Sequence, residues 1–129
     1  MKIRGQNFSL SIREVVMKFK TSQQGGVTVI AIEGNLMGGP DASTLNDKLV
    51  ELIESKKKHV VIDLGSVDII NSSGLGMLIK GASTMKSASG GLKIAKASDK
   101  ILELIKVTKL TGILETHKTV ADAAASFKK

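Results

Sequence analysis

At 129 residues the chain has the length of one ordinary domain, enough to bury a real core and too short for two well-packed ones. Its 42% hydrophobic and 24% charged residues exclude a disordered chain, and its 2% aromatics, supplied by Phe8, Phe19 and Phe127, require an aliphatic core. The formal charge of +7 suits an acidic partner, nucleic acid or an anionic membrane surface, but the basic residues are dispersed and no Tyr or Trp stacks bases, so direct nucleic-acid binding is not expected.

Residues 1–11 find no clear pairing partner and read as an N-terminal arm or an edge strand, with one domain over 12–129. Arg13 to Lys20 and Val27 to Glu33 read as strands, and Gln23-Gln24-Gly25-Gly26 between them predicts an antiparallel hairpin. Asn35-Leu36-Met37-Gly38-Gly39-Pro40 is a loop by its glycine pair and the only proline. A helix follows, capped by Asp41 or Ser43, with Leu45, Leu49, Leu52 and Ile53 at helical spacing and Asp47, Lys48, Glu51 and Glu54 mostly on the other side. Lys56-Lys57-Lys58 is then the solvated end of that helix, where cations complement the negative end of its dipole.

His59-Val60-Val61-Ile62-Asp63-Leu64 is hydrophobic almost throughout, as a strand covered on both faces must be. A polar turn, Gly65-Ser66-Val67-Asp68, leads through Ile69-Ile70 to a second helix carrying Leu75, Leu78, Ile79 and Ala82. Beyond the Gly90-Gly91 break come a strand at Leu92-Lys93-Ile94-Ala95 and a helix from Lys100 to Lys106. A short strand at Ile113-Leu114 and an alanine-rich helix from Val120 to Phe127 close the chain. Helices alternating with buried strands predict an α/β fold, a mixed sheet with an antiparallel hairpin on one side and helices packed on it.

The chain contains no cysteine, so disulfides and thiolate metal sites are excluded. No apolar run reaches the roughly 18 residues that span a bilayer, and Met1 to Asn7 lacks the apolar stretch of a secretory signal; the expected compartment is the cytoplasm. His59 and His117 are the only histidines, and neither stands in a catalytic triad or a metal-ligand motif. Gly74-Leu75-Gly76 lacks the Gly-x-x-x-x-Gly-Lys-Ser/Thr pattern of a nucleotide loop. We therefore expect no enzyme, no cofactor and no metal.

Chemistry is concentrated in Asn71-Ser72-Ser73-Gly74-Leu75-Gly76, where hydroxyl residues stand between apolar Ile69-Ile70 and a helix. Ser72 has two readings there. It caps the helix by accepting a bond from a backbone N–H in the first turn, or it is a phosphorylation site. A phosphate adds about −1.5 to −2 charge beside the positive end of a helix dipole, which the fold tolerates and a partner packed on the same turn does not. Gly74 and Gly76 remove side chains from the first turn and permit close approach of another backbone.

These residues carry a resemblance. Val60-Val61-Ile62-Asp63-Leu64, a spacer, then Ile69-Ile70-Asn71-Ser72-Ser73-Gly74-Leu75-Gly76 resemble the signature of the STAS domain, the anti-sigma factor antagonist family. Glu33-Gly34-Asn35-Leu36, Gly90-Gly91-Leu92-Lys93-Ile94 and Ile113 to Phe127 resemble that family's glycine turn, next strand entry and closing strand and helix. The resemblance spans about Glu14 to Phe127.

It implies a partner-switching cycle in transcription regulation. The unphosphorylated protein binds an anti-sigma factor that is also a serine kinase and frees the sigma factor, phosphorylation reverses this, and a serine phosphatase resets it. Carried onto this chain, the phosphoacceptor is Ser72, with Ser73 the lesser candidate, and the partner-binding residues are Asp41, Asn71, Ser72, Ser73, Gly74, Leu75 and Gly76. Two positions depart from the family pattern: Asn71 stands where an acid is usual, and Met37-Gly38-Gly39-Pro40 is inserted before Asp41. The alternative is a constitutive STAS binding or scaffold module of a transporter or sensory complex, with Ser72 only a cap.

Overall fold

The computed structural model describes residues 18–38 and 40–127, and the side chains of all of these except Pro40 and Asp41. The arm expected over 1–11 and the first part of the strand expected from Arg13 lie outside the described residues.

Strand β1 (Lys18–Gln24) and strand β2 (Val27–Leu36) form the expected antiparallel hairpin, with Lys18 opposite Glu33 and Gln24 opposite Val27. Gly25 and Gly26 have φ of 59° and 84°, the paired left-handed geometry of the two-residue turn whose twist matches that of the strands it joins. Helix α1 spans Pro40–Glu54 and begins earlier than expected. Pro40 is its first residue, a position where the missing N–H costs nothing, so Asp41 and Ser43 lie inside the helix instead of capping it.

Strand β3 runs twelve residues, His59–Ile70, and absorbs the polar turn expected at Gly65–Asp68. The cause lies in its neighbour. β2 continues to Leu36 and pairs in parallel with β3 along its whole length, and two register shifts, between Ala31 and Glu33 and between Gly34 and Asn35, each place an extra residue on β3. The glycine and polar residues that suggest a turn sit in these irregularities, and Val67 among them still points into the core, 7% exposed.

Helix α2 (Ser72–Ser87), strand β4 (Gly91–Ala95), helix α3 (Asp99–Val107), strand β5 (Thr116–His117) and helix α4 (Val120–Ser126) follow. The closing strand falls at Thr116–His117 instead of Ile113-Leu114. Leu110 O accepts from both Ile113 N and Leu114 N, which holds that segment in a turn, and pairing with β4 begins only where Ile94 N donates to Glu115 O at 2.8 Å. Leu114 is buried nonetheless, while Ile113 is exposed.

The sheet order is β1-β2-β3-β4-β5, with β1 antiparallel and the rest parallel, so the fold is the expected mixed α/β sheet. One face carries the main core, where Ile30, Ile32, Val60, Ile62, Leu64, Leu92 and Ile94 meet α1, α2 and α3 through Leu45, Leu49, Leu78, Met85, Ile101 and Ile105. The opposite face is thinner: Val27, Val29, Val61 and Ala95 are covered by Ala123 and Ala124 of α4. Thr28 apart, the buried side chains are aliphatic or methionine, with Phe19 and Phe127 only packed at the margins.

Candidate functional site

The serine segment sits at the C-terminal edge of the parallel strands, where β2 and β3 end side by side with Leu36 paired to Ile70. Ligands of open α/β sheets collect at this edge, outside the carboxyl ends of the strands.

The cap of α2 is Asn71, not Ser72. Its extended backbone (φ −111°, ψ −179°) turns the chain out of β3, and its side-chain Oδ1 accepts from Gly74 N at 2.7 Å. Its own N–H donates to Leu36 O at 3.3 Å, and its carbonyl accepts from Leu75 N at 2.9 Å. One residue thus ends β3, ties to β2 and starts α2. Ser72 is released from capping. It is the first helical residue, exposed, and its hydroxyl makes no hydrogen bond to any described residue. The N–H groups of Ser72 and Ser73, in the first turn, have no intrahelical acceptor, so the exposed hydroxyl stands beside free donors at the positive end of a sixteen-residue helix.

Gly74 is fixed by sterics. A Cβ on it would lie 1.9 Å from Leu36 O, so α2 approaches the end of β2 as closely as backbone allows, and the expected reason for a glycine holds here. It does not hold at Gly76, where a Cβ would meet nothing within 4 Å. Gly38 closes the turn from outside: with φ +84° it passes so close to Ser73 that a Cβ would stand 2.7 Å from Ser73 Cβ. Ser73 is therefore flanked by the strap from β2 to α1, whereas Ser72 is not.

Of the residues expected to form the site, Asn71, Ser72, Ser73 and Gly76 reach the surface, while Gly74 and Leu75 are buried and shape the turn from within. The side chain of Asp41 lies outside the described ones; its backbone is in the first turn of α1, three residues beyond Gly38. No acidic residue occupies the first turn of α2. Two exposed apolar side chains border the turn and were missed in the sequence: Met37, 44% exposed, and Ile69, 54% exposed. The signal was present at Ile69, since adjacent isoleucines in a strand must face opposite ways.

The histidines are elsewhere. His59, the first residue of β3, stacks on Phe127 with ring centroids 4.6 Å apart. His117 lies in β5, with Nε2 2.6 Å from Glu115 Oε2. Among the described residues no group of three His, Cys, Asp or Glu side chains is placed to hold a metal ion, and no helix is long and apolar enough to cross a membrane.

Comparison with known proteins gives the same architecture. BtrV of Bordetella bronchiseptica, which carries the name of an anti-sigma factor antagonist, is 24% identical over 112 residues, 87% of this chain and 96% of that one. A Thermotoga maritima protein named in the same way superposes with a TM-score of 0.76 at 17% identity, covering 86% of this chain and 95% of that one. The phosphorylated form of the Bacillus cell fate determinant SpoIIAA superposes with a TM-score of 0.65 at 14% identity, covering 85% and 99%. The profile of the STAS domain matches residues 18–123, most of the chain and every described element through the core of α4. The chain belongs to the STAS domain family.

Proposed function

We propose that the protein is an anti-sigma factor antagonist that acts by binding and is switched by phosphorylation of Ser72. One observation carries the reading: because Asn71 supplies the helix cap, the Ser72 hydroxyl is exposed and unengaged at the head of α2. The name of BtrV and the existence of SpoIIAA structures in phosphorylated and unphosphorylated forms support the same reading.

In this account the unmodified turn, with Met37 and Ile69 at its border, is packed by an anti-sigma factor that is also a serine kinase. The kinase transfers the γ-phosphoryl group of ATP to Ser72 Oγ, the serine losing its proton and ADP leaving. The free N–H groups of the first turn and the helix dipole favour the resulting phosphate by about 0.3–1 kcal/mol, so the fold keeps its shape. The partner instead meets a bulky dianion where it packed an uncharged hydroxyl, and it is expelled. A serine phosphatase restores the binding form. The protein itself performs no catalysis in this cycle, needs no cofactor and works in the cytoplasm.

Ser73 is the lesser acceptor because Gly38 crosses beside it. Asn71 keeps the acid's capping geometry without its negative charge, which removes a source of repulsion toward phosphate. Intact-mass analysis after incubation with the anti-sigma factor kinase and ATP tests the reading. One phosphate, absent in Ser72→Ala, is expected; an unmodified wild-type protein contradicts the switch.

A further inference from the structure

The lysine run that the switch leaves unused shares one edge of the sheet with lysines far from it in sequence. Each parallel crossover returns the chain to the N-terminal edge of the sheet, so α1, α2 and α3 all end there. The end of α1 delivers Lys56, Lys57 and Lys58. α2 brings exposed Lys86 in its last turn, and the segment after it lies against Lys58, whose carbonyl accepts from Gly91 N at 2.9 Å. α3 brings Lys106 and Lys109, both exposed. Within the three segments 54–59, 86–91 and 106–113, Glu54 is the one acidic residue against six lysines.

Dipole complementarity accounts for a lysine in a last helical turn. It does not account for Lys56 and Lys109, which occupy left-handed backbone positions, φ 64° and 61°, where glycine or asparagine is the less strained choice. Val107, 62% exposed, stands between Lys106 and Lys109, and Ile113, 51% exposed, follows in the same loop.

The composition of this edge selects among anionic partners. Protein interfaces deplete lysine and use arginine and aromatic anchors, and among the described residues no arginine, tyrosine or tryptophan is exposed here. Single-stranded nucleic acid is held by aromatic stacking, yet the Phe127 ring near this edge is already stacked on His59 and carries Lys93 Nζ 4.4 Å from its centroid. Lysines around a protruding aliphatic side chain are instead the composition that meets acidic headgroups while the apolar group enters the interface. The geometry points to a peripheral docking face for an anionic lipid bilayer, formed by Lys56, Lys57, Lys58, Lys86, Lys106 and Lys109 around Val107.

The face lies at the opposite end of β3 from Ser72. Twelve residues at about 3.3 Å each place roughly 35 Å between them, so a docked molecule presents its switch away from the bilayer. The proposal goes beyond the switch and does not depend on it.

Co-sedimentation of the full chain with vesicles of phosphatidylcholine alone, or of phosphatidylcholine with phosphatidylserine, tests it. Binding is expected on the acidic vesicles only, weakening with salt. Lys57→Glu with Lys106→Glu weakens it by more than about tenfold, whereas Lys80→Glu with Lys118→Glu, equal in net charge and away from this edge, changes it by less than about twofold. Lys57→Gln with Lys106→Gln gives a partial loss should the reversal unfold the chain, and Val107→Ser weakens binding without changing its salt dependence. Equal binding to both vesicles, equal loss in the two reversal variants, or salt-sensitive binding to duplex DNA without vesicle binding overturns the proposal.

Discussion

The two edges of the sheet solve the same problem, turning the chain between strand and helix, by opposite means. At the C-terminal edge α2 starts with a side-chain cap and a backbone contact so close that only glycine fits, Gly74 against Leu36 O. At the N-terminal edge the helices end in hydrogen-bonded turns closed by residues other than glycine. Lys57 N donates to Leu52 O and Lys56 N to Ile53 O, and the same pair of bonds recurs at Gly90 and Ser89 and again at Leu110 and Lys109. Lys56, Ser89 and Lys109 each take a left-handed conformation, φ 61° to 65°, without glycine. The C-terminal edge therefore depends on shape where Gly74 meets Leu36. The lysine edge carries backbone strain that substitution can relieve.

The sharpest break in this contrast is Gly74→Ala, which forces a carbon into a backbone carbonyl and destabilises by about 3 kcal/mol or more, whereas Gly76→Ala two residues on stabilises by about 0.5–1 kcal/mol. Urea denaturation of the two variants reads the difference, and similar midpoints would show that α2 does not rest on β2 as described. Asn71→Ala comes next. Removing the cap is expected to cost about 1 kcal/mol, with Asn71→Asp retaining the stability because a carboxylate caps as well. Ser72→Ala should leave the thermal midpoint unchanged, which separates the two neighbours directly.

At the other edge the sign reverses. Lys56→Gly, Ser89→Gly and Lys109→Gly should each stabilise by up to about 1 kcal/mol, measured as a rise in the denaturation midpoint, because glycine meets no steric cost at positive φ. Destabilisation by all three would mean that these turns are not left-handed.

The smallest effect is electrostatic and belongs to the closing strand. The hydrogen bond from His117, and then that of Lys93, 3.1 Å away, hold the Glu115 carboxyl below the usual glutamate range, against the opposing effect of burial. A depressed folded-state pKa contributes stability above the unfolded-state value, and this is lost as pH falls through the folded one. Glu115→Gln should therefore lower the thermal midpoint at neutral pH and converge with wild type in acid, by a modest amount since the carboxylate is half exposed.

Much of this was legible in the sequence. The apolar stripes of α1 and α2 and the continuous hydrophobic run of β3 gave the alternation of helix and strand, and the residues resembling the STAS signature gave the fold. What escaped were features that only tertiary contacts decide. Asn71, Ser72 and Ser73 are all good caps by type, and the bond from Asn71 N to Leu36 O together with the Gly74 contact selects the first. Gly65, Ser66 and Asp68 are turn residues by composition, but pairing with the far end of β2 draws them into the strand. The lysine edge was invisible because 56–58, 86, 106 and 109 come to one edge only once three crossovers have returned there.

The central proposal is that Ser72 is free to switch because Asn71 does the capping. Binding of the anti-sigma factor to wild type, Ser72→Ala and Ser72→Asp, followed by titration calorimetry, tests it most directly. Ser72→Ala should bind as wild type does, and Ser72→Asp about a hundredfold or more weaker, with both folded as stably as wild type. Equal affinity for all three proteins would contradict the account.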